Sequence, residues 1–210
     1  MSVNTSKPSL QVPAGRLLLH ACCAPCSGAI VEELRRRGCE VTVFYSNSNI
    51  CPVGEYERRR DECRRYALEM EAGFVEDPYC HERWLEAVRG LESEPERGAR
   101  CSICFRERLL RAARYAAGAG FDILATTLAS SRWKNLDQVN AAGEWACAQV
   151  DGVEFWAANF RKGGLQERRG EIIRERGFYN QNWCGCEFSA RQRVEDGGSP
   201  SGPCGTIDKK

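Results

Sequence analysis

The chain has 210 residues and a formal net charge of +1, and this length suits one globular domain with a full hydrophobic core. A net charge this close to zero does not by itself indicate a nucleic-acid partner. Arg far outnumbers Lys, which suits phosphate recognition and is equally typical of a GC-rich genome. The polar segment 1–15 lacks the apolar stretch of a signal peptide, and no apolar run reaches the length of a membrane span. With an odd number of cysteines, 13, the composition predicts a cytoplasmic protein whose thiols are free or metal-bound.

Short apolar segments alternate with amphipathic ones along most of the chain, and this alternation is typical of an α/β fold. The predicted strands are residues 17–21, 41–45, 74–76, 121–127 and 153–156. The predicted helices are residues 25–37, 55–72, 81–91, 101–117, 135–149 and 165–176. We expect one domain over residues 16–190, with a mostly parallel sheet flanked by helices, between a disordered leader at 1–15 and a disordered tail at 191–210.

Seven of the cysteines lie in three short clusters that are far apart in the sequence. They are Cys22, Cys23, Cys26, Cys101, Cys104, Cys184 and Cys186. Thiolates are preferred ligands of zinc and of iron–sulfur clusters, and seven exceed the four that one zinc ion or one cubane cluster takes. The first cluster follows the first predicted strand, and in α/β folds the functional site lies beyond the carboxyl ends of the strands. The sequence therefore predicts metal-dependent chemistry with more than one metal centre.

Each of these features also has a simpler interpretation. Cysteines are often buried for packing alone, and Cys101 with Cys104 could form a redox-active disulfide pair. His20, in the first predicted strand, could support the metal ligands or be a hydrogen-bonded core residue. The basic run Arg58–Arg60 could hold phosphate or be the solvated face of a helix. The aromatic and amide side chains of Tyr179–Trp183 could stack on a nucleobase or pack against the domain.

Three common catalytic motifs are missing from the sequence. It contains no GxGxxG, no Walker lysine loop and no GxSxG. Dinucleotide binding, P-loop hydrolysis and serine hydrolysis therefore lack their motifs. The sequence has only two histidines, which gives little support to a Cys₂His₂ zinc site or to histidine-based acid–base catalysis.

Six segments are more specific together than any one of them is alone. They are Leu18–Cys26, Asn47–Pro52 with Glu55 and Tyr56, Arg100–Cys104, Thr126–Leu128, Phe160–Gly164 and Tyr179–Cys186. In this order and spacing they resemble the cobalamin-independent epoxyqueuosine reductase family (QueH). The chain departs from that family at Ser48, where a proline is usual, at Cys51, where a histidine is common, and at Ser131–Trp133, where Ser-Pro-Tyr is usual. These departures concern the substrate side of the site more than the metal side.

The resemblance implies a Rossmann-like fold of the PP-loop (HUP) type, a [4Fe–4S] cluster and an adjacent mononuclear metal, iron or zinc. It implies reduction of the epoxide of epoxyqueuosine to queuosine in the tRNA anticodon, the last step of queuosine synthesis, with electrons from an external donor. The seven thiols then divide into four ligands for the cluster and three for the second metal. We expect Cys101 and Cys104 to hold the cluster with either Cys22 or Cys23, and Cys26 to help hold the second metal.

The resemblance also suggests which polar and aromatic residues bind the tRNA substrate. They are Tyr45, Asn47, Asn49, Glu55, Tyr56, Arg59, Arg161, Lys162, Tyr179 and Gln181. The alternative is a tRNA-binding protein stapled by zinc, or a tRNA-thiolation protein of the same fold. The first alternative would need only four thiols and a colourless metal. The second alternative would require a loop that binds the phosphates of ATP, and the sequence lacks such a motif.

Overall fold

The structure is a computed structural model that describes residues 10–190, and its centre is a five-stranded sheet whose strand pairs are all parallel. The strands are β1 (Leu17–Ala21), β2 (Val41–Tyr45), β3 (Gly73–Glu76), β4 (Ile123–Thr126) and β5 (Glu154–Phe155). They lie in the order β3-β2-β1-β4-β5, which confirms the predicted α/β fold with a parallel sheet. The predicted tail at 191–210 and most of the predicted leader at 1–15 lie outside the described residues.

Six α-helices accompany these strands in the described part of the chain, and the last of them follows β5. They are α1 (Ala24–Arg36), α2 (Val53–Glu69), α3 (His81–Ala87), α4 (Ala99–Gly118), α5 (Leu136–Cys147) and α6 (Leu165–Arg176). Each predicted helix is present, although α3 ends four residues earlier than predicted, because the chain turns beyond Val88. Within residues 10–190, none of these helices combines the length and the apolar character that a membrane crossing requires.

The middle of the sheet forms the core because its strands are apolar on both faces, as parallel strands covered by helices require. All five residues of β1 are buried. In the sheet register, Leu19 pairs with Val43 on one side and with Ala125 on the other. The first strand is therefore central, and the segment that follows it opens onto the middle of the sheet edge.

The fourth strand is shorter than predicted, because residue 127 begins a short 3₁₀-helix, Thr127–Ser130. The hydroxyl of Thr126 accepts a hydrogen bond from the backbone N–H of Leu128 at 3.2 Å and so caps this turn. The turn brings Thr127 over the end of β1 instead of extending the sheet. We refer to the edge formed by the C-terminal ends of the strands as the carboxyl edge.

Candidate metal centres and active site

Three thiols gather where β1 ends and α1 begins, at the centre of the carboxyl edge. The Sγ atoms of Cys22, Cys23 and Cys26 all lie within 4.8 Å of one another, and those of Cys22 and Cys23 are 3.7 Å apart. The hydroxyl of Thr127 accepts a hydrogen bond from the backbone N–H of Cys22 at 3.2 Å, so the end of β4 fixes this turn. We call Cys22, Cys23 and Cys26 the three-thiol group.

The pKa values of the three thiols in this group shift in different directions. Hydrogen bonds from Cys23 and Cys26 hold the pKa of the Cys22 thiol well below its usual value. Burial raises the pKa of Cys23 well above that value. The hydrogen bond to Cys22 raises the pKa of Cys26 to about 11. Cys22 is thus the thiolate of the group, and a deprotonated thiol is the form that binds metal.

The other four clustered thiols surround a separate, smaller cavity. Cys101 and Cys104 lie in the first two turns of α4, and Cys184 and Cys186 reach the same cavity from the C-terminal segment. The Sγ atoms of Cys184 and Cys186 are 3.5 Å apart. The hydrogen bond from Cys186 lowers the pKa of Cys184 to about 5, whereas burial raises the pKa of Cys101 to about 11. We call this set the four-thiol group.

The seven thiols therefore lie as a group of three and a group of four, and which thiols bind which metal stays a prediction. The expectation from sequence joins Cys22 or Cys23 to Cys101 and Cys104. The structure instead places Cys22 and Cys23 beside Cys26. The first two lie on the tight turn that leads into α1, and Cys26 lies in the first turn of that helix. The remaining thiols next to α4 come from the C-terminal segment. Spacing along the chain could not reveal this pairing, because the clusters meet only through the tertiary fold.

Hydrogen bonds from α2 and from the loop before it, all accepted by backbone carbonyls, hold the segment that carries Cys184 and Cys186. The buried guanidinium of Arg59 donates to the carbonyl oxygens of Cys184 at 3.1 Å and Trp183 at 3.4 Å. Its Nε donates to Glu55 at 2.7 Å. The backbone N–H of Cys51 donates to the carbonyl oxygen of Gly185 at 2.9 Å.

A larger cavity of about 350 Å³ lies between the two thiol groups. Cys22 and Cys26 line it from one group and Cys184 from the other. Pockets that hold small molecules are usually about 300 Å³ or more, so this space can accommodate a nucleobase-sized ligand. Its remaining walls include Arg108, Trp133, Arg169, and the segment from Asn180 to Trp183. Both thiol groups thus face one common space.

Lys134 is a wall residue of both cavities that sequence reasoning did not select. Burial alone would lower the pKa of its ammonium group, but the nearby thiolates of Cys184 and Cys22 outweigh burial and raise that pKa. Lys134 is therefore a cation placed between the two thiol groups. One feature of the sequence could have identified Lys134. It directly follows the Ser131–Trp133 segment, a few residues after β4, where the chain passes the carboxyl edge.

His20 is a hydrogen-bonded core residue in the described structure. It is fully buried in β1, where its Nε2 donates to the carbonyl oxygen of Ser46 at 3.1 Å and its Nδ1 accepts from the hydroxyl of Thr126 at 2.8 Å. Burial lowers its pKa to about 3, so the ring is neutral. His20 thus links β2, β1 and β4 beneath the three-thiol group.

Three of the ten predicted substrate-binding residues line a cavity. Asn49 lines the smaller cavity, and Arg59 and Gln181 line the larger one. The buried Oδ1 of Asn49 and Oε1 of Gln181 have no hydrogen-bond partner among the described residues. Both oxygens are therefore hydrogen-bond acceptors that no described residue uses.

The other predicted substrate-binding residues lie behind or beside the cavities. Tyr45 and Tyr56 are buried, and the hydroxyl of Tyr45 donates to the backbone carbonyl of Tyr56 at 3.1 Å. Asn47 donates to the carbonyl oxygen of Ala21 at 2.9 Å and accepts from Arg108, which positions the turn before Cys22.

Of three further predicted residues, Tyr179 precedes the wall residue Asn180, Arg161 supports a loop and Lys162 is exposed. The hydroxyl of Tyr179 donates to Glu55 at 3.3 Å, and the guanidinium of Arg58 covers its ring at 3.5 Å from the centroid. Arg161 donates to the carbonyl oxygen of Lys134 at 2.8 Å and so supports the loop that carries this lysine. Lys162 is exposed.

The fold and the site define an α/β protein with two groups of thiols around one cavity at the carboxyl edge of a parallel sheet. The model of the family described as Epoxyqueuosine reductase QueH matches residues 17–192. The Epoxyqueuosine reductase QueH of Acinetobacter baylyi is 42% identical over 190 residues, which cover 89% of this chain and 87% of that protein. The protein of the same name from Histophilus somni is 41% identical over 187 residues, 88% of this chain and 77% of that protein.

A more distant relative matches this chain over nearly all of that relative's own length. The Epoxyqueuosine reductase QueH of Thermotoga maritima is 34% identical over 184 residues, 86% of this chain and 93% of that protein. The chain therefore belongs to the QueH family, and it is an oxidoreductase.

Proposed function

We propose that this enzyme reduces the epoxide of epoxyqueuosine to the cyclopentene of queuosine in the anticodon of a cytoplasmic tRNA. The observation that carries the proposal is the common cavity, which has thiols of both groups in its walls together with the Lys134 ammonium. Its volume of about 350 Å³ suits a modified nucleobase. Family membership supplies the substrate class, and the cavity supplies the place where that substrate would react.

The donor sets fit the two metal centres that the family resemblance implies. The four-thiol group has the number and type of ligands of a [4Fe–4S] cluster. The three-thiol group suits one iron or zinc ion with an open fourth position. Two thiolates on a tetrahedral zinc ion lie about 3.8 Å apart, and Cys22 and Cys23 are 3.7 Å apart. We assign the cluster to the four-thiol group and the single ion to the three-thiol group.

Removal of an epoxide oxygen to leave an alkene consumes two electrons and two protons and releases water. The four-thiol group would hold a cluster that passes on electrons one at a time from an external donor, and the three-thiol group would hold an ion able to act as a Lewis acid on the epoxide oxygen. Lys134 would donate one proton from Nζ to the oxygen as the C–O bond breaks, because its ammonium group lies between the two thiol groups, and the second proton would come from solvent before water leaves. Gln181, which lines the larger cavity, would hydrogen-bond the base through its amide group.

The tRNA backbone would meet basic side chains at the rim of the larger cavity. Arg58 is exposed and stacks on Tyr179, and Arg169 lines the cavity beside Asn180. Lys162 is exposed on the loop before α6. Basic residues of this kind bind phosphate without reading sequence, and they position the anticodon over the cavity.

The test is an anaerobic preparation of the full chain analysed for iron, acid-labile sulfide and zinc, followed by turnover on tRNA that carries epoxyqueuosine. We expect about four sulfides per chain, at least one more metal ion than sulfide, and formation of queuosine when a reductant is supplied. Zinc without sulfide after anaerobic reconstitution would favour the zinc-stapled RNA-binding alternative. Turnover that requires ATP would favour the thiolation alternative.

A further inference from the structure

A third compact set of metal-ligand atoms lies outside both thiol groups. The Sγ of Cys51, a ring nitrogen of His81 and a carboxylate oxygen of Glu187 all lie within 4.8 Å of one another. Cys51 belongs to the loop between β2 and α2, His81 is the first residue of α3, and Glu187 follows Cys186 in the C-terminal segment. Three separate segments thus converge on one point.

The hydrogen bonds of His81 assign a role to each ring nitrogen. Nδ1 is 2.8 Å from the carbonyl oxygen of Ser48, and a carbonyl only accepts, so Nδ1 carries a proton. Nε2 is then the nitrogen that faces Glu187, at 3.2 Å from Oε1. Histidines that bind metals almost always donate their other N–H to a carbonyl or carboxylate in this way. The ring is also held between Tyr79 and Trp84, with ring centroids 6.3 and 5.5 Å away.

The distances fit one tetrahedral ion. A nitrogen and an oxygen bound to the same zinc ion lie about 3.3 Å apart, and a sulfur and a nitrogen about 3.6 Å apart. Nε2 of His81 and Oε1 of Glu187 are 3.2 Å apart, so the first pair needs no adjustment. The Sγ of Cys51 lies no more than 4.8 Å from a ring nitrogen of His81 and from a carboxylate oxygen of Glu187, so a contraction of about 1 Å would complete the set.

The charges balance as well. Glu187 is buried, with 6% of its side chain exposed, and His81 has 13% of its side chain exposed. Buried carboxylates are paired with a cation or bind a metal. With a divalent ion, one thiolate, one carboxylate and one neutral imidazole cancel its charge.

We propose that Cys51, His81 and Glu187 bind one divalent transition-metal ion, Zn²⁺ by preference, with water in the fourth position. One sulfur, one nitrogen and one oxygen ligand suit zinc better than the oxygen-seeking ions Mg²⁺ and Ca²⁺. The ion joins the loop after β2 and the start of α3 to the segment that carries Cys184 and Cys186. The proposal is independent of the redox reaction, since it requires no electron transfer and no substrate.

The test is a cobalt titration of the full chain whose iron and sulfide have been reconstituted anaerobically beforehand. We expect one further equivalent of Co²⁺ to bind, with the charge-transfer absorption of a single thiolate ligand. His81→Gln and Glu187→Gln should each lose this equivalent while iron and sulfide content stay unchanged. Cys80→Ser is the matched control, because Cys80 neighbours His81 but lies outside the set, and it should bind cobalt normally.

A crystal of the unaltered protein soaked in Zn²⁺ gives a second readout that does not depend on how the variants fold. An anomalous peak at the zinc edge among Cys51, His81 and Glu187 supports the site. A peak confined to the two thiol groups, or cobalt binding that survives His81→Gln, would overturn the proposal and leave His81 and Glu187 as a simple ion pair.

Discussion

Lys134 is the proton donor of the proposed reaction, and its position between the two thiol groups makes this role testable. It lies between the thiolates of Cys22 and Cys184, and these anions raise the pKa of its ammonium group. Positioned proton donors contribute about 10²–10⁴-fold to rates. We therefore expect Lys134→Met to lower kcat on epoxyqueuosine-containing tRNA by about 10²-fold or more.

Two measurements separate this role from a merely structural one. Iron and sulfide content should be unchanged in Lys134→Met, because lysine is not a ligand of either group. Lys134→Arg should recover part of the rate, since a guanidinium keeps the charge but is a poorer proton donor. Loss of iron together with activity would show that Lys134 acts by stabilising the site.

The division of the thiols into three and four predicts two distinguishable losses. Cys104→Ser should remove acid-labile sulfide, because Cys104 belongs to the four-thiol group. Cys26→Ser should remove one metal ion and leave the sulfide in place, because Cys26 belongs to the three-thiol group. The control is Cys147→Ser, which replaces a buried cysteine of α5. This variant should keep both the sulfide and the metal ion. Loss of sulfide in Cys26→Ser would contradict the division.

At the scale of elements, the short segment around Gly185 positions half of the four-thiol group. Gly185 has a φ of +105°, and a Cβ there would lie 2.9 Å from Cγ1 of Ile50 and 3.0 Å from Nη1 of Arg59. Left-handed backbone costs a non-glycine residue about 1–3 kcal/mol. We expect Gly185→Ala to lower the melting temperature by several degrees and to reduce the sulfide that the protein retains.

Gly90→Ala is the matched control for this experiment. Gly90 has a φ of +82°, but a Cβ there would meet nothing within 4 Å. It therefore measures the backbone strain without the close approach to Ile50 and Arg59. We expect Gly90→Ala to lower the melting temperature less than Gly185→Ala and to leave sulfide unchanged. Equal sulfide loss in the two variants would show that the close packing at Gly185 does not position the thiols.

At the scale of the whole molecule, a net charge of +1 means that tRNA binding depends on where the basic residues lie. Arg169 lines the larger cavity, Arg58 stacks on Tyr179 next to the wall residue Asn180, and Lys162 is exposed, so under the proposed tRNA binding the affinity should fall as salt rises. Replacing Arg58 and Lys162 by Gln should make the slope of log affinity against log salt shallower, by about one for each phosphate that is no longer neutralised.

The control for this measurement lies at the other edge of the sheet. Arg36 is exposed near the end of α1, away from the carboxyl edge, and Arg36→Gln should leave the salt slope unchanged. Affinity measured by fluorescence anisotropy over a range of salt concentrations gives both slopes. Binding that does not respond to salt would contradict the proposed rim.

The sequence by itself determined the parallel α/β fold, because apolar strands that alternate with amphipathic helices have few other ways to bury both faces of a sheet. It also singled out the seven clustered cysteines, because soft ligands at tight spacing indicate metal. The position of the first cluster at the carboxyl edge followed from the same argument, since Cys22 comes directly after the first strand.

Only the tertiary structure decided how those residues are shared. The sequence placed Cys22 or Cys23 with Cys101, whereas packing brings the segment around Gly185 to α4 and keeps the first three thiols together. Lys134 likewise reaches both thiol groups only because β4 ends beside β1. Local patterns specify elements, since neighbouring residues interact whatever the fold. Contacts between residues far apart in the chain depend on how those elements pack, so the grouping of the ligands becomes definite only in the folded molecule.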